Sequence, residues 1–356
     1  MVDCSCLRGC RILVTGSTGF KGSWLCSWLL HLGAEVSGFA LEPEPDAPLF
    51  HQLHLNERIH QLYGDIRDPA VVQQAFTRLK PDAVIHLAAQ ALVFRSYADP
   101  KTTFDVNVGG AVNLLDAIKI TKPRALVFIT SDKCYQNNEW VWGYRENDQL
   151  GGIDPYSASK AAAELIFASY QQSFFHHQAG LIAATARAGN VIGGGDLSQN
   201  RIVPDCIRAL RLAQPVILRR PDATRPWQHV LEPLSGYVTL LVRQLNGDSS
   251  ATGAWNFGPD ANNIRTVETL ARVLVEDWGG GEVIVERESS ILHEARLLML
   301  NNDKAKTILG WRPRWSFEQT VKYTVDWFRH IDDGCDPIKV TAAHIAAYED
   351  AGVNLR

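Results

Sequence analysis

The chain has 356 residues, 46% of them hydrophobic and 21% charged, with a formal net charge of -4. That length fits a large α/β unit with a smaller lobe. The composition is not that of a disordered chain, and the weak acidity gives no reason to expect nucleic-acid binding. No stretch is long and apolar enough to span a bilayer. The opening MVDCSCLRGCRILVTG has no long apolar run before its first strand, so no secretory signal is expected. Seven cysteines, an odd number, fit free thiols in a reducing cytoplasm. Cys4, Cys6 and Cys10 cluster without a fourth ligand nearby, so no metal is expected.

Arg11 to Thr15 reads as a short buried strand followed by a glycine-rich turn. Ser23 to Leu32 has helical spacing and stops at Gly33, and Glu35 to Ala40 is a second strand. Glu42 to Pro48 is a Pro-rich loop, and His60 to Tyr63 leads into a third strand end at Gly64-Asp65. Pro69 to Leu79 is a helix and Ala83 to Leu87 a strand. Asp99-Pro100 caps a helix carrying Phe104, Val108, Ala111, Leu115 and Ile118 on one face. Ala125 to Thr130 is a strand, Tyr156 to Phe175 a long helix and Leu181 to Ala186 a strand. This alternation implies a doubly wound parallel sheet of the Rossmann type, with ligands beyond the strands' carboxyl ends. We expect residues 1–187 to form the dinucleotide domain, with a return segment near 227–257. The looser remainder, 188–356, should be mainly a substrate lobe.

Thr15 to Gly22 reads TGSTGFKG. Gly16, Gly19 and Gly22 lie between a strand and a helix, where glycine allows a tight turn and close approach to a pyrophosphate. Thr18, Phe20 and Lys21 fall in the same segment. Glu42 either holds the adenosine ribose or is a solvated loop charge. With Glu44 it would repel a 2′-phosphate, which favours NAD over NADP. Asp65 and Ile66 could contact adenine, or Asp65 could simply cap its turn.

Tyr156 and Lys160 are four apart on one helical face, where an ammonium can lower the phenol pKa. The strand before them ends in Ser131, Asp132 and Lys133, a polar trio aimed either at the ligand-binding edge or at a plain turn.

TGxxGxxG, HLAAQ at His86 to Gln90, the strand-end trio and YxxxK together resemble the extended short-chain dehydrogenase/reductase family. Thr130 to Ser157 (TSDKCYQNNEWVWGYRENDQLGGIDPYS), RAGNVIGGGD at Arg187 to Asp196, RIVPD at Arg201 to Asp205 and TRPWQHVLEPL at Thr224 to Leu234 resemble its CDP-glucose 4,6-dehydratase branch. The similarity runs from about Arg11 to about Trp315.

The resemblance implies an NAD-dependent hydro-lyase that turns a nucleotide sugar, CDP-glucose, into a 4-keto-6-deoxy product. Tyr156 would take the 4-hydroxyl proton with Ser131 on the same oxygen, and Asp132 would protonate the leaving 6-hydroxyl. Lys133 stands where many hexose 4,6-dehydratases carry glutamate. It is either a neutral base at C5 or a cation beside the enolate. Leu87, Ala88, Ala89 and Asn107 join the cofactor set. Gln90, Arg187, Asn190, Arg201, Val203, Arg225, His229 and His293 form the substrate set, with arginine suited to a diphosphate. Arg187 could instead be structural, and Trp227 either lines the pocket or is core. A homodimer or dimer of dimers is expected through the 100–120 and 156–175 helices, without membrane or nucleic-acid partners. An epimerase or reductase would keep Tyr156 and Lys160 without needing the Asp-Lys pair. A non-catalytic NAD sensor would show a damaged YxxxK or trio.

Overall fold

The computed structural model describes residues 3–43, 48–177, 180–286 and 297–352. Seven parallel strands form one sheet. They are β1 (Arg11–Thr15), β2 (Glu35–Ala40), β3 (His60–Tyr63), β4 (Ala83–His86), β5 (Ala125–Ile129), β6 (Ile182–Arg187) and β7 (Gly253–Asn256). The spatial order is β7-β6-β5-β4-β1-β2-β3, so strand order reverses beside β1. β4 and β5 are buried throughout, and β1 and β6 everywhere but at their first residues, as strands covered on both faces must be.

The main helices are α1 (Phe20–His31), α2 (Pro69–Leu79), α3 (Gly110–Thr121), α4 (Pro155–Ser173), α5 (Ile202–Arg211), α6 (Leu231–Leu245), α7 (Val267–Trp278), α8 (Phe317–Asp332) and α9 (Pro337–Ala351). Several start where capping chemistry is written in the chain. Asp68 accepts from Ala70 and Val71 N–H before Pro69, and Asp154 accepts from Ser157 N–H before Pro155. α6 then returns across the sheet and delivers β7 to its edge, parallel to β6.

The helix expected behind Asp99-Pro100 is not continuous. Pro100–Phe104 runs into a π-helical turn at Asp105–Gly109 before α3 begins. Thr103 and Asn107 turn inward while Phe104 is exposed. Two apolar layers cover the sheet. One contains Trp24, Leu29, Trp227 and Trp255; the other contains Phe39, Phe76, Leu114, Phe128 and Phe167. Among the described residues no helix is long and apolar enough to cross a membrane.

Candidate active site

Thr15, His86 and Phe128 lie in register across β1, β4 and β5. Three chain segments therefore leave the sheet side by side: the glycine turn, Leu87 to Gln90, and Thr130 to Lys133.

In the glycine turn, Gly16 has φ +73°, and a Cβ there would sit 2.7 Å from the Ala88 nitrogen. A Cβ on Gly22 would fall 2.1 Å from the Gly16 carbonyl oxygen. Side chains would therefore fill the hollow between β1, β4 and the first turn of α1. Gly19 begins α1 with no side-chain cap, which leaves its first N–H groups for a ligand. The hollow fits the diphosphate of NAD. The Thr18 hydroxyl donates to the Leu41 carbonyl at 3.3 Å and ties the turn to the end of β2, where Glu42 is exposed.

Asn107 fixes the next segment. Its carboxamide accepts from Gln90 N–H at 2.8 Å, and donates to the Gln90 carbonyl at 3.0 Å and to Ser159 Oγ of α4 at 2.9 Å. The π-turn points this side chain inward and so holds Leu87, Ala88 and Ala89 against the helix that carries Tyr156.

Ser131 is the N-cap of a single 3-10 turn, Asp132–Cys134. Its hydroxyl donates to Asp132 Oδ1 at 2.9 Å and accepts from Lys133 N–H at 3.2 Å. Asn190 donates to Asp132 Oδ2 at 3.3 Å. Behind the carboxylate lies Gly189, where a Cβ would fall 1.9 Å from Asp132 Oδ2.

Tyr156 faces this group. Burial pushes its phenol up to about 12; the Ser131 hydroxyl and Arg201 pull it down, while Asp132 and Asp154 raise it. The sequence suggested Lys160 for the lowering role, but Ser131 and Arg201 lower it most. Burial takes Lys160 down to about 8, against the pull of Cys134 and Glu164. Burial, and then the charge of Lys160, take His86 at the end of β4 down to about 3. Lys21 is lowered to about 8 by burial and then by Arg201, with Asp132 opposing. The cradle, the trio, Tyr156, Lys160 and Arg201 therefore form one electrostatic neighbourhood.

A family model described as GDP-mannose 4,6 dehydratase matches residues 13–324. The chain belongs to that family. It is 43% identical over 356 residues to the CDP-glucose 4,6-dehydratase of Salmonella typhimurium, covering 99% of each chain. A solved UDP-glucose 4-epimerase from Thermus thermophilus, in complex with NAD, superposes with a TM-score of 0.75 at 28% identity, covering 90% of this chain and 99% of that one. A dTDP-glucose 4,6-dehydratase from Streptomyces venezuelae, solved with NAD, shares the fold with a TM-score of 0.76 at 24% identity, covering 92% and 99%.

Several expected site residues belong elsewhere. His229 is completely buried between Trp24 and Trp315, its Nδ1 accepting from Leu231 N–H, so its side chain is core and not a substrate contact. The Val203 side chain is likewise core. Arg187 is a structural ion-pair residue, held by Glu164, the Tyr135 hydroxyl and the Glu146 carbonyl. The Gln90 carboxamide is taken up by Leu92 N–H, the Leu92 carbonyl and Thr103 Oγ1. Asp65 closes its own turn, accepting from the backbone and guanidinium of Arg67, and Ile66 is packed in the core. Trp227 is core, donating to the Arg265 carbonyl. Arg225 is largely buried in the strand pair Thr224–Pro226 with Ile264–Thr266. Arg201 is partly exposed, paired with Asp196 at 2.9 Å. His293 and Glu44 lie outside the described residues.

Two participants were missed. Gly189 had no signal beyond its place in RAGN. Glu164 follows Lys160 by one helical turn, a spacing that could have drawn attention to it.

Proposed function

We propose that this chain is a CDP-glucose 4,6-dehydratase that forms the 4-keto-6-deoxy sugar nucleotide and water. The observation that carries the reading is a buried carboxylate, Asp132, hydrogen-bonded to Ser131 and felt by the buried phenol of Tyr156, at the edge of a dinucleotide cradle. Oxidation and re-reduction at C4 alone need only the tyrosine. A carboxyl beside it is needed when a hydroxyl must leave as water.

NAD would be held by Gly16, Thr18, Gly19, Phe20, Lys21 and Gly22 together with Leu87, Ala88, Ala89 and Lys160, and would supply the acceptor and donor for the hydride moved from C4 to C6. Tyr156 removes the 4-hydroxyl proton, and Asp132 gives a proton to the C6 oxygen. Lys133, partly exposed beside them, serves C5. Lys133→Arg keeps a cation but is a poor base, so retained activity in that variant assigns charge stabilisation and its loss assigns proton transfer. Arg201 and Asn190, both partly exposed, bind the sugar diphosphate. A pathway that makes deoxysugars for a surface polysaccharide is the natural user of the product.

A second copy of this chain is the proposed partner. Phe94, Tyr97 and Phe104 are exposed on the segment before α3, and Leu165 and Phe174 on and just after α4. Isolated exposed apolar side chains are ordinary, but large ones gathered on adjacent helices fit an interface. Light scattering at micromolar concentration should give a dimer or tetramer.

The test of function is incubation with NAD and, separately, CDP-, dTDP- and GDP-linked glucose. The expected result is alkali-absorbing 4-keto product from CDP-glucose without stoichiometric reduced cofactor. Recovery of only a C4 epimer would favour an epimerase.

A further inference from the structure

Gln228 is buried, 1% exposed, in the short strand Gln228–His229 that pairs in parallel with Val191–Ile192. Its carboxamide donates to two main-chain carbonyls, that of Gly189 at 2.9 Å and that of Phe257 at 3.1 Å. Both partners are acceptors, so the amide nitrogen and not the oxygen must face them. The Gln228 main-chain N–H donates to the next carbonyl along, that of Asn190, at 3.2 Å. From the other side, Phe257 N–H donates to the Arg187 carbonyl at 2.8 Å. One residue therefore holds two successive carbonyls of the chain that leaves β6, and ties them to the chain that leaves β7.

Residues 189 and 190 form the back of the Asp132 carboxylate. Asn190 has φ +51°, in the left-handed region that asparagine tolerates better than most residues. That backbone delivers Asn190 Nδ2 to Asp132 Oδ2 at 3.3 Å. At Gly189 a Cβ would meet Oδ2 at 1.9 Å and Oδ1 at 2.4 Å, so the carboxylate rests directly on this glycine. Oδ1 accepts from the Ser131 hydroxyl at 2.9 Å. The carboxylate is thus set by Ser131 on one side and by residues 189 and 190 on the other. A carboxamide has two N–H bonds, so Asn190 keeps one for substrate.

We propose that Gln228 is a positioning residue for the water-loss step: by clamping Gly189 and Asn190 it aims the Asp132 carboxyl at the C6 oxygen. The proposal rests on the dehydratase reading above. Gln228 exchanges no proton itself and acts through Asp132. The Gly189 carbonyl belongs to the peptide that joins 189 to 190, and the tilt of that peptide sets both Gly189 ψ and Asn190 φ. Without the Gln228 donor the peptide is free to turn, and the Asn190 amide and the glycine surface turn with it. A general acid must lie within hydrogen-bond reach of the oxygen it protonates, and a displacement of about 1 Å can cost roughly a hundredfold in rate.

The test compares wild type with Gln228→Met, which keeps the side-chain length without its donors, and Gln228→Glu, which offers only acceptors while ionised. Single-turnover absorbance with CDP-glucose and NAD separates reduced-cofactor formation from keto-deoxy product. Circular dichroism and NAD affinity report the fold. In both variants water loss should slow by roughly a hundredfold while the oxidising phase stays near wild type, so reduced cofactor accumulates transiently. In steady state kcat should fall without a rise in KM for CDP-glucose. A buried carboxyl facing two carbonyls titrates above its ordinary range, and once protonated it has one O–H to donate. The Gln228→Glu rate, divided by that of wild type, should therefore recover as pH falls from about 8 to about 6, while the Gln228→Met ratio stays flat. A folded Gln228→Met variant that loses water at the wild-type rate would overturn the proposal, as would a Gln228→Glu ratio that does not recover. Equal slowing of oxidation and water loss, or failure of both variants to fold, would make Gln228 a merely structural residue and overturn it too. Absence of keto-deoxy product from wild type would instead sink the dehydratase reading beneath it.

Discussion

Arg187 grips both carboxylate oxygens of Glu164, Nε on Oε1 at 2.9 Å and Nη2 on Oε2 at 2.8 Å, with the side chains 3% and 4% exposed. Glu164 also accepts from Thr130 and Thr185, and so joins α4 to the ends of β5 and β6. Removing one partner strands a buried charge. Arg187→Leu should therefore cost about 3–5 kcal/mol in urea unfolding. Arg187→Lys should rescue little, because an ammonium cannot make the two-pronged contact. An arginine that binds substrate would instead raise KM with stability unchanged.

Gly189→Ala places a methyl where Asp132 Oδ2 lies, 1.9 Å away. The carboxylate must turn away from Ser131 and Asn190. The expected outcome is a loss in kcat of about a hundredfold, the scale of general-acid assistance, with NAD affinity retained. Unchanged kcat would show that Asp132 need not hold this orientation.

Gly16→Ala meets two obstacles, a φ of +73° and the Ala88 backbone nitrogen at 2.7 Å. Since the hollow is closed by backbone, no flexible side chain can give way. NAD binding, measured by fluorescence titration, should weaken at least tenfold, while CDP-glucose binding measured alone changes less.

Three buried histidines make the protein acid-sensitive. Burial takes His86 to about 3, His344 to about 4 and His229 well below its ordinary value of 6.5. Each is neutral in the folded state and protonates more readily when unfolded. Their contribution is whole above pH 6.5 and is lost as pH falls below it, at up to about 1.4 kcal/mol per pH unit for each. Glu232 opposes this. Burial raises it to about 7, so its contribution is whole below 4.5 and lost as pH rises through 7. Three groups against one leave a net loss between pH 6.5 and 4.5. The urea midpoint should fall between pH 7 and pH 5, and an unchanged midpoint would contradict neutral burial of these rings.

The local elements were legible in the chain. β1, β2 and α2 lie where periodicity and capping put them, because strand alternation and Asp-Pro starts act over a few residues. The doubly wound sheet followed from their alternation, and TGSTGFKG, Ser131 to Lys133, Tyr156 and Lys160 were legible because strand ends and helical spacing place them on one edge. What remained open was which partner a side chain takes. Arg187 and Arg201 are the same residue type in one stretch of chain, yet one is sealed against Glu164 and the other reaches the Tyr156 neighbourhood. Asp65 had two readings, and its own Arg67 decided between them. The π-turn that swings Asn107 inward depends on packing between Gln90 and Ser159, residues 17 and 52 positions away. Such choices are set by burial and by contacts between distant segments, so only the tertiary structure could make them.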